Sequence, residues 1–195
     1  MHDLVGHESL LERDRLMLAD FDAEVVAVAS QPFGITGHDG AVIRRHVPDY
    51  LLLQTDGVVE VVDMKSADQL AKAEVAEVFG WTSRLMAEKG WRYSIWSGGD
   101  PVMLRNVHFL AQGRRAHVVD SRVVVGLMRH ARTDMTVNQA VAQTAETLGV
   151  DARVARSALL ALLWHQVFTV PLEQPLCGDT RIEEVREDRG VQFCA

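Results

Sequence analysis

The sequence predicts a mixed α/β first part followed by an α-rich second part, and three observations carry that expectation. Two apolar runs, Val47 to Gln54 and Val58 to Lys65, flank Asp56-Gly57, the signature of a β-hairpin. Around them, helical and strand-like patterns follow one another in the order α-β-β-β-α-β as far as Leu110, which calls for a sheet with helices on its faces. After Gln112-Gly113-Arg114-Arg115 strand-like runs give way to three helical patterns, the second and third separated by Gly149 as in a helix-turn-helix. A boundary near Arg114 is expected, giving domains 1–114 and 115–195.

The first helix is expected from Ser9 to about Asp20, with Leu10, Leu11, Leu16, Met17 and Leu18 interleaved with charged residues. Val25 to Ala29 reads as a strand ending at Gln31-Pro32, the stretch from Gly34 to Gly40 as a loop, and Ala41 to Val47 as the lead into the hairpin. Ser66, with Gln69 three residues on, is expected to cap one long helix from Ala67 to Lys89, which Gly90 stops. Trp91 to Trp96 follows as a strand, and Asp100-Pro101 opens a short helix through Leu110. In the second part the helical patterns run near Asp120 to Ala131, Thr136 to Leu148 and Ala152 to His165. Val167 to Val170 and a short run near Thr180 to Ile182 are expected to pair as a wing.

The hairpin register decides what the central segment can do. A two-residue loop would put Asp49 opposite Met64 and send Asp49 and Asp63 to opposite faces, because strand side chains alternate. A three-residue loop, Thr55-Asp56-Gly57 with Gly57 in the left-handed conformation, pairs Gln54 with Val58 and sets Asp49 across from Asp63. Cross-strand neighbours lie about 5 Å apart at Cβ, and two carboxylates so close repel unless a proton or a cation intervenes. Lys65 falls on the same face as Asp63. Leu51, Leu52 and Leu53, with Val58, Val59, Val61 and Val62, are apolar on both faces, so the hairpin reads as central and buried rather than as a solvated edge. From the pattern alone a metal site and a structural ion pair both remain open.

The chain is 48% hydrophobic and 24% charged, the composition of an ordinary globular protein. No apolar run reaches the roughly 20 residues of a membrane span, and Met1-His2-Asp3-Leu4 lacks the features of a signal peptide. Cys177 and Cys194 fit neither a disulfide framework nor a zinc spacing, so a cytoplasmic location is expected. Residues 1–100 hold 9 Lys/Arg against 17 Asp/Glu, whereas residues 101–195 hold 11 against 10. Such an acidic first half makes poor unaided contact with a polyanion. The histidines show no HxH or HExxH grouping, and Trp81, Trp91, Trp96 and Trp164 sit in apolar patterns that suit a core better than base stacking. Arg44-Arg45 could touch phosphates or simply be solvated. In the helix from Ala152, Arg153 and Arg156 are followed by Ala158, Leu159, Leu160, Ala161 and Leu162, too apolar for a major-groove reader, which favours a protein contact.

Taken together, the Glu12 helix, Gln31-Pro32, Pro48-Asp49, Asp63-Met64-Lys65 and the helix-strand pair closing near Trp96 resemble the PD-(D/E)xK nuclease superfamily. Within it, Glu8-Ser9-Leu10-Leu11-Glu12-Arg13-Asp14 with Ser30-Gln31-Pro32 is similar to TnsA, the endonuclease subunit of heteromeric bacterial transposases, over roughly residues 6–112. The resemblance implies a restriction-endonuclease-like αβββαβ core with a C-terminal winged-helix-like domain. It also implies a metal-dependent DNA endonuclease that cuts the 5′ ends of a mobile element, leaving a 3′-hydroxyl and a 5′-phosphate. Its partners would be a DDE-type transposase subunit and an AAA+ regulatory ATPase.

Carried over by position, Glu12, Asp49, Asp63 and Lys65 are the catalytic set. Glu12, Asp49, Asp63 and the Met64 carbonyl are the ligands expected for Mg²⁺, for which Mn²⁺ can substitute; Mg²⁺ binds through few carboxylates and keeps its waters. Lys65 would orient the attacking water or stabilise charge on the phosphate. Glu12 also completes a Ser9-Leu10-Leu11-Glu12 capping box, in which it would bond back to the Ser9 amide; Glu8, one turn earlier, is the alternative ligand. Two other functions fit the same residues: a stand-alone phage or restriction-type nuclease, and a non-catalytic interaction protein built on the nuclease fold.

Overall fold

The structure, a computed structural model, describes residues 9–115 and 119–185. Glu8 and Cys194 therefore lie outside the described residues. The chain is mixed α/β and divides into two compact units, Met1–Gly99 and Asp100–Ala195. No helix among the described residues is long and apolar enough to cross a membrane.

In the first unit, α1 (Leu10–Phe21) starts at Ser9, whose Oγ accepts the Glu12 amide at 3.1 Å. Strand β1 (Val25–Ser30) pairs antiparallel with β4 (Tyr50–Gln54), with a bulge between Val25 and Ala27. β4 pairs antiparallel with β5 (Val59–Met64), and β5 runs parallel to β6 (Arg92–Trp96), giving the sheet order β1-β4-β5-β6. One face of this sheet packs on α1 through Tyr50, Leu52, Val62, Met64 and Ala19, with Leu11, Leu16 and Trp96 at the margin. Alternation turns Val61 and Asp63 to the opposite face, where α3 (Ala73–Glu88) brings Phe79 against His46 and Tyr93.

The hairpin register is the one the three-residue loop requires. Leu53 pairs with Val59 and Tyr50 with Val62, the Gln54 amide donates to Val58 O at 2.9 Å, and Gly57 has φ 81°. Any other residue at Gly57 would be strained by its Cβ.

Three expectations for this unit are corrected. The stretch from Gly34 to Gly40, expected as a loop, contributes β2 (Ile35–Asp39), which forms a separate ribbon with β3 (Val42–His46). Ion pairs make up for its weak strand propensity: Asp39 accepts from Arg44 and Arg84, each at 2.7 Å, and Arg44 also reaches Glu77 on α3 at 2.9 Å. Arg44 is thus a structural residue, and Arg45 is exposed. The single helix expected from Ala67 to Lys89 is broken into α2 (Ala67–Leu70) and α3. Ser66 makes no side-chain cap, and the Gln69 side chain bonds Asp68 instead of closing a capping box.

The second unit holds α4 (Pro101–Leu110), a 3₁₀ turn at Ala111–Gly113, α5 (Ser121–His130), α6 (Val137–Leu148), α7 (Ala152–Trp164) and the short pair β7 (Phe168–Thr169) and β8 (Glu184–Val185). Helices α5, α6 and α7 pack on one another, and α4 and the 3₁₀ turn pack on α7. Gly113 lies so close to the α7 backbone that a Cβ there would sit 2.2 Å from Leu160 O. Through these contacts α4 packs with the helices that follow it, within the compact unit that starts at Asp100. Buried Asn106 ties the unit together, donating to Leu172 O and Gln174 O at 2.8 and 2.7 Å and accepting from the Leu176 amide at 3.1 Å. The wing strand is Glu184–Val185, not the expected run near Thr180 to Ile182, because Arg181 bridges to Thr136 beside α6.

Candidate active site

Pro48 is buried at the mouth of β4, and Asp49 follows it opposite Asp63, the penultimate residue of β5. The two aspartates clasp one another's strands. The Met64 amide donates to Asp49 Oδ2 at 2.6 Å, and the Asp49 amide donates to Asp63 Oδ1 at 3.3 Å. Burial pushes the Asp49 carboxyl above its usual range; the Met64 amide opposes the shift, and the charges of Asp63 and Glu12 add to it. Asp49 Oδ1 accepts no hydrogen bond among the described residues.

Asp63 is completely buried. Its Oδ2 lies 2.7 Å from His46 Nε2 and accepts the Tyr93 hydroxyl at 2.5 Å. Burial first, then Asp63, drive the Tyr93 phenol far above its ordinary value, so it remains a donor. Neither His46 nor Tyr93 was singled out from the sequence. They come from β3 and β6, 17 and 30 residues from Asp63, and only the chain's path brings them together.

Glu12 stands at the start of α1 within electrostatic reach of Asp49 and of Tyr50, whose buried phenol is pushed up to about 12. Its Oε1 accepts the Ser9 hydroxyl at 3.0 Å. That bond engages the hydroxyl where the capping box expected the Ser9 amide. Lys65 extends beyond β5 and is exposed; its amide donates to Trp96 O at 3.1 Å, and its ammonium has no ion-pair partner among the described residues. The structure thus brings Asp49 and Asp63 together, sets Glu12 near Asp49, and leaves Lys65 at the strand end.

No protein-family model matches the chain, and no curated protein matches it. The chemistry must therefore be read from the geometry. Among the described residues no three His, Cys, Asp or Glu side chains converge as a metal-binding group. A divalent cation here would rest on Asp49 and Asp63, with the Met64 carbonyl and water completing its shell, and Mg²⁺ is the ion that binds through so few protein ligands. The donor chemistry fits it. Asp49 keeps an oxygen free, and its burial, with the charges of Asp63 and Glu12 adding to it, sets the cost of its ionised form that a cation would relieve. Of the four tryptophans, Trp81 and Trp164 are buried, Trp96 lines the core and Trp91 meets Phe33 at 5.9 Å, so none stands out as a stacking platform.

Proposed function

We propose that the chain is a Mg²⁺-dependent DNA endonuclease of the restriction-endonuclease-like class, acting as the TnsA-like subunit of a heteromeric transposase. One observation carries this conclusion: Asp49 and Asp63 oppose one another at the end of a buried hairpin, each anchored to the other's strand, with Lys65 following on β5's continuation. The sheet order β1-β4-β5-β6, antiparallel except for its last pair, with α1 on one face and α3 on the other, supports the αβββαβ core. When bound, Mg²⁺ supplies charge neutralisation at a phosphodiester and makes water beside it more acidic. Asp49 and Asp63 would hold the cation, Glu12 would orient water on the α1 side, and Lys65 Nζ would hold a phosphoryl oxygen as charge builds there.

The acidic first half makes partner subunits the natural means of holding DNA. In the second unit, exposure along α7 is confined to its start and includes Arg153 and Arg156, which bond Asp151 and Asn138; from Ala158 on it is largely buried. That face suits a protein contact, such as the transposase or an AAA+ ATPase, better than base reading.

A second reading has its own observation. Asp63 is buried and its Oδ2 is occupied by His46 and Tyr93, which suits a structural carboxylate in a non-catalytic interaction protein. Nicking of supercoiled plasmid with Mn²⁺ separates the two. The expected result is nicks with 3′-hydroxyl and 5′-phosphate ends, lost with chelator and reduced about 10²–10³-fold in Lys65→Ala. Nicking that persists in Asp63→Ala or in chelator would contradict the nuclease reading.

A further inference from the structure

Among the described residues Asp63 is the one carboxylate that is fully buried. Such a charge survives in a core only where donors replace its water. Three elements contribute to its enclosure. β3 ends in His46, β6 supplies Tyr93, and α3 sets Phe79 against both rings, 5.8 Å from the His46 centroid and 6.5 Å from that of Tyr93. β3 is itself fastened to α3 by the Asp39, Arg44, Glu77 and Arg84 ion pairs, so His46 is held from behind.

The distribution of these bonds over the carboxylate is uneven. A carboxylate has about four acceptor positions, two on each oxygen. Oδ2 meets two partners, His46 and Tyr93, and Oδ1 meets one, the Asp49 amide. The position left over is on Oδ1, the oxygen turned toward Asp49.

Building on the metal-dependent reading above, we infer that His46 and Tyr93 are positioning residues: by saturating Oδ2 they lock the Asp63 carboxylate so that Oδ1 is its one oxygen presented to a divalent cation shared with Asp49. Partners of this kind fix a ligand's orientation without touching the ion, and their loss commonly weakens metal binding 10- to 100-fold. The ribbon β2–β3 thereby acquires a role, since it is the element that delivers His46.

The test is Mn²⁺ affinity by isothermal titration calorimetry on the full chain, at a temperature where thermal melts show every variant folded. Tyr93→Phe and His46→Leu are expected to weaken binding about 10- to 100-fold. His46→Gln, which restores an N–H donor toward Oδ2, is expected to recover most of the loss, as a change in packing alone would not. Unchanged affinity in both Tyr93→Phe and His46→Leu, with binding still abolished by Asp49→Ala, would overturn the positioning role and leave the metal site standing. Binding that does not distinguish the wild type from Asp49→Ala would overturn both.

Discussion

At Asp49, burial, Asp63 and Glu12 all favour the neutral carboxyl, and the Met64 amide and His46 favour the charged one. The folded pKa is raised, so without a cation the ionised side chain costs stability above that pKa, and the cost disappears as pH falls through it toward the unfolded value. Asp49→Asn keeps an oxygen for the Met64 amide and removes the charge. Its cation-free melting temperature at neutral pH is therefore expected to rise above the wild type's, and calorimetry showing a fall would contradict this electrostatic picture. The opposition of Asp49 and Asp63 was legible in the sequence because period-two alternation and a glycine-bearing loop leave few registers open. His46 and Tyr93 were not, because their approach to Asp63 depends on where a ribbon and a parallel strand dock, and no local pattern encodes that.

Among the elements, the β4–β5 hairpin depends on Gly57, whose φ of 81° costs any side chain about 1–2 kcal/mol. Gly57→Ala meets no neighbouring atom within 4 Å, so the melting temperature should fall by backbone strain alone, and an unchanged melt would refute that. The β2–β3 ribbon is held on α3 through Asp39, whose carboxyl is kept below its ordinary 3.8 chiefly by its hydrogen bond from Arg44. A depressed pKa contributes stability that is complete above the unfolded value and is lost as pH drops through the folded one. Hydrogen-exchange protection factors of the ribbon amides, corrected for the intrinsic pH dependence of exchange, are expected to hold down to about pH 4 and to fall below it; protection factors unchanged across that window would show that the ion pairs do not hold the ribbon. The ribbon escaped the sequence because Gly37, His38, Asp39 and Gly40 read as loop chemistry, and only the contacts with α3 override that. The break between α2 and α3 escaped for a similar reason: Ala71-Lys72 carries neither glycine nor proline to mark it.

Over the whole molecule, the division at Gly99 makes α4 part of the second unit. The sequence marks a change of character near Arg114, where strands cease, but which side α4 joins is decided by packing, through Asn106 and the 3₁₀ turn on α7. A fragment beginning at Asp100 is expected to melt cooperatively with helical circular dichroism. One beginning at Arg115 loses α4 and three hydrogen bonds worth about 1 kcal/mol each, and is expected to be unfolded or molten. Equal stability of the two fragments would show that α4 contributes nothing to the second unit.

The direct test of the metal-dependent nuclease is anomalous diffraction from crystals of the full chain soaked in millimolar Mn²⁺. The expected result is a peak within ligand distance of Asp49 Oδ1 and Asp63 Oδ1. Diffraction that shows both carboxylates in place and Mn²⁺ absent from between them, in crystals that also hold a phosphodiester at Lys65, would contradict it.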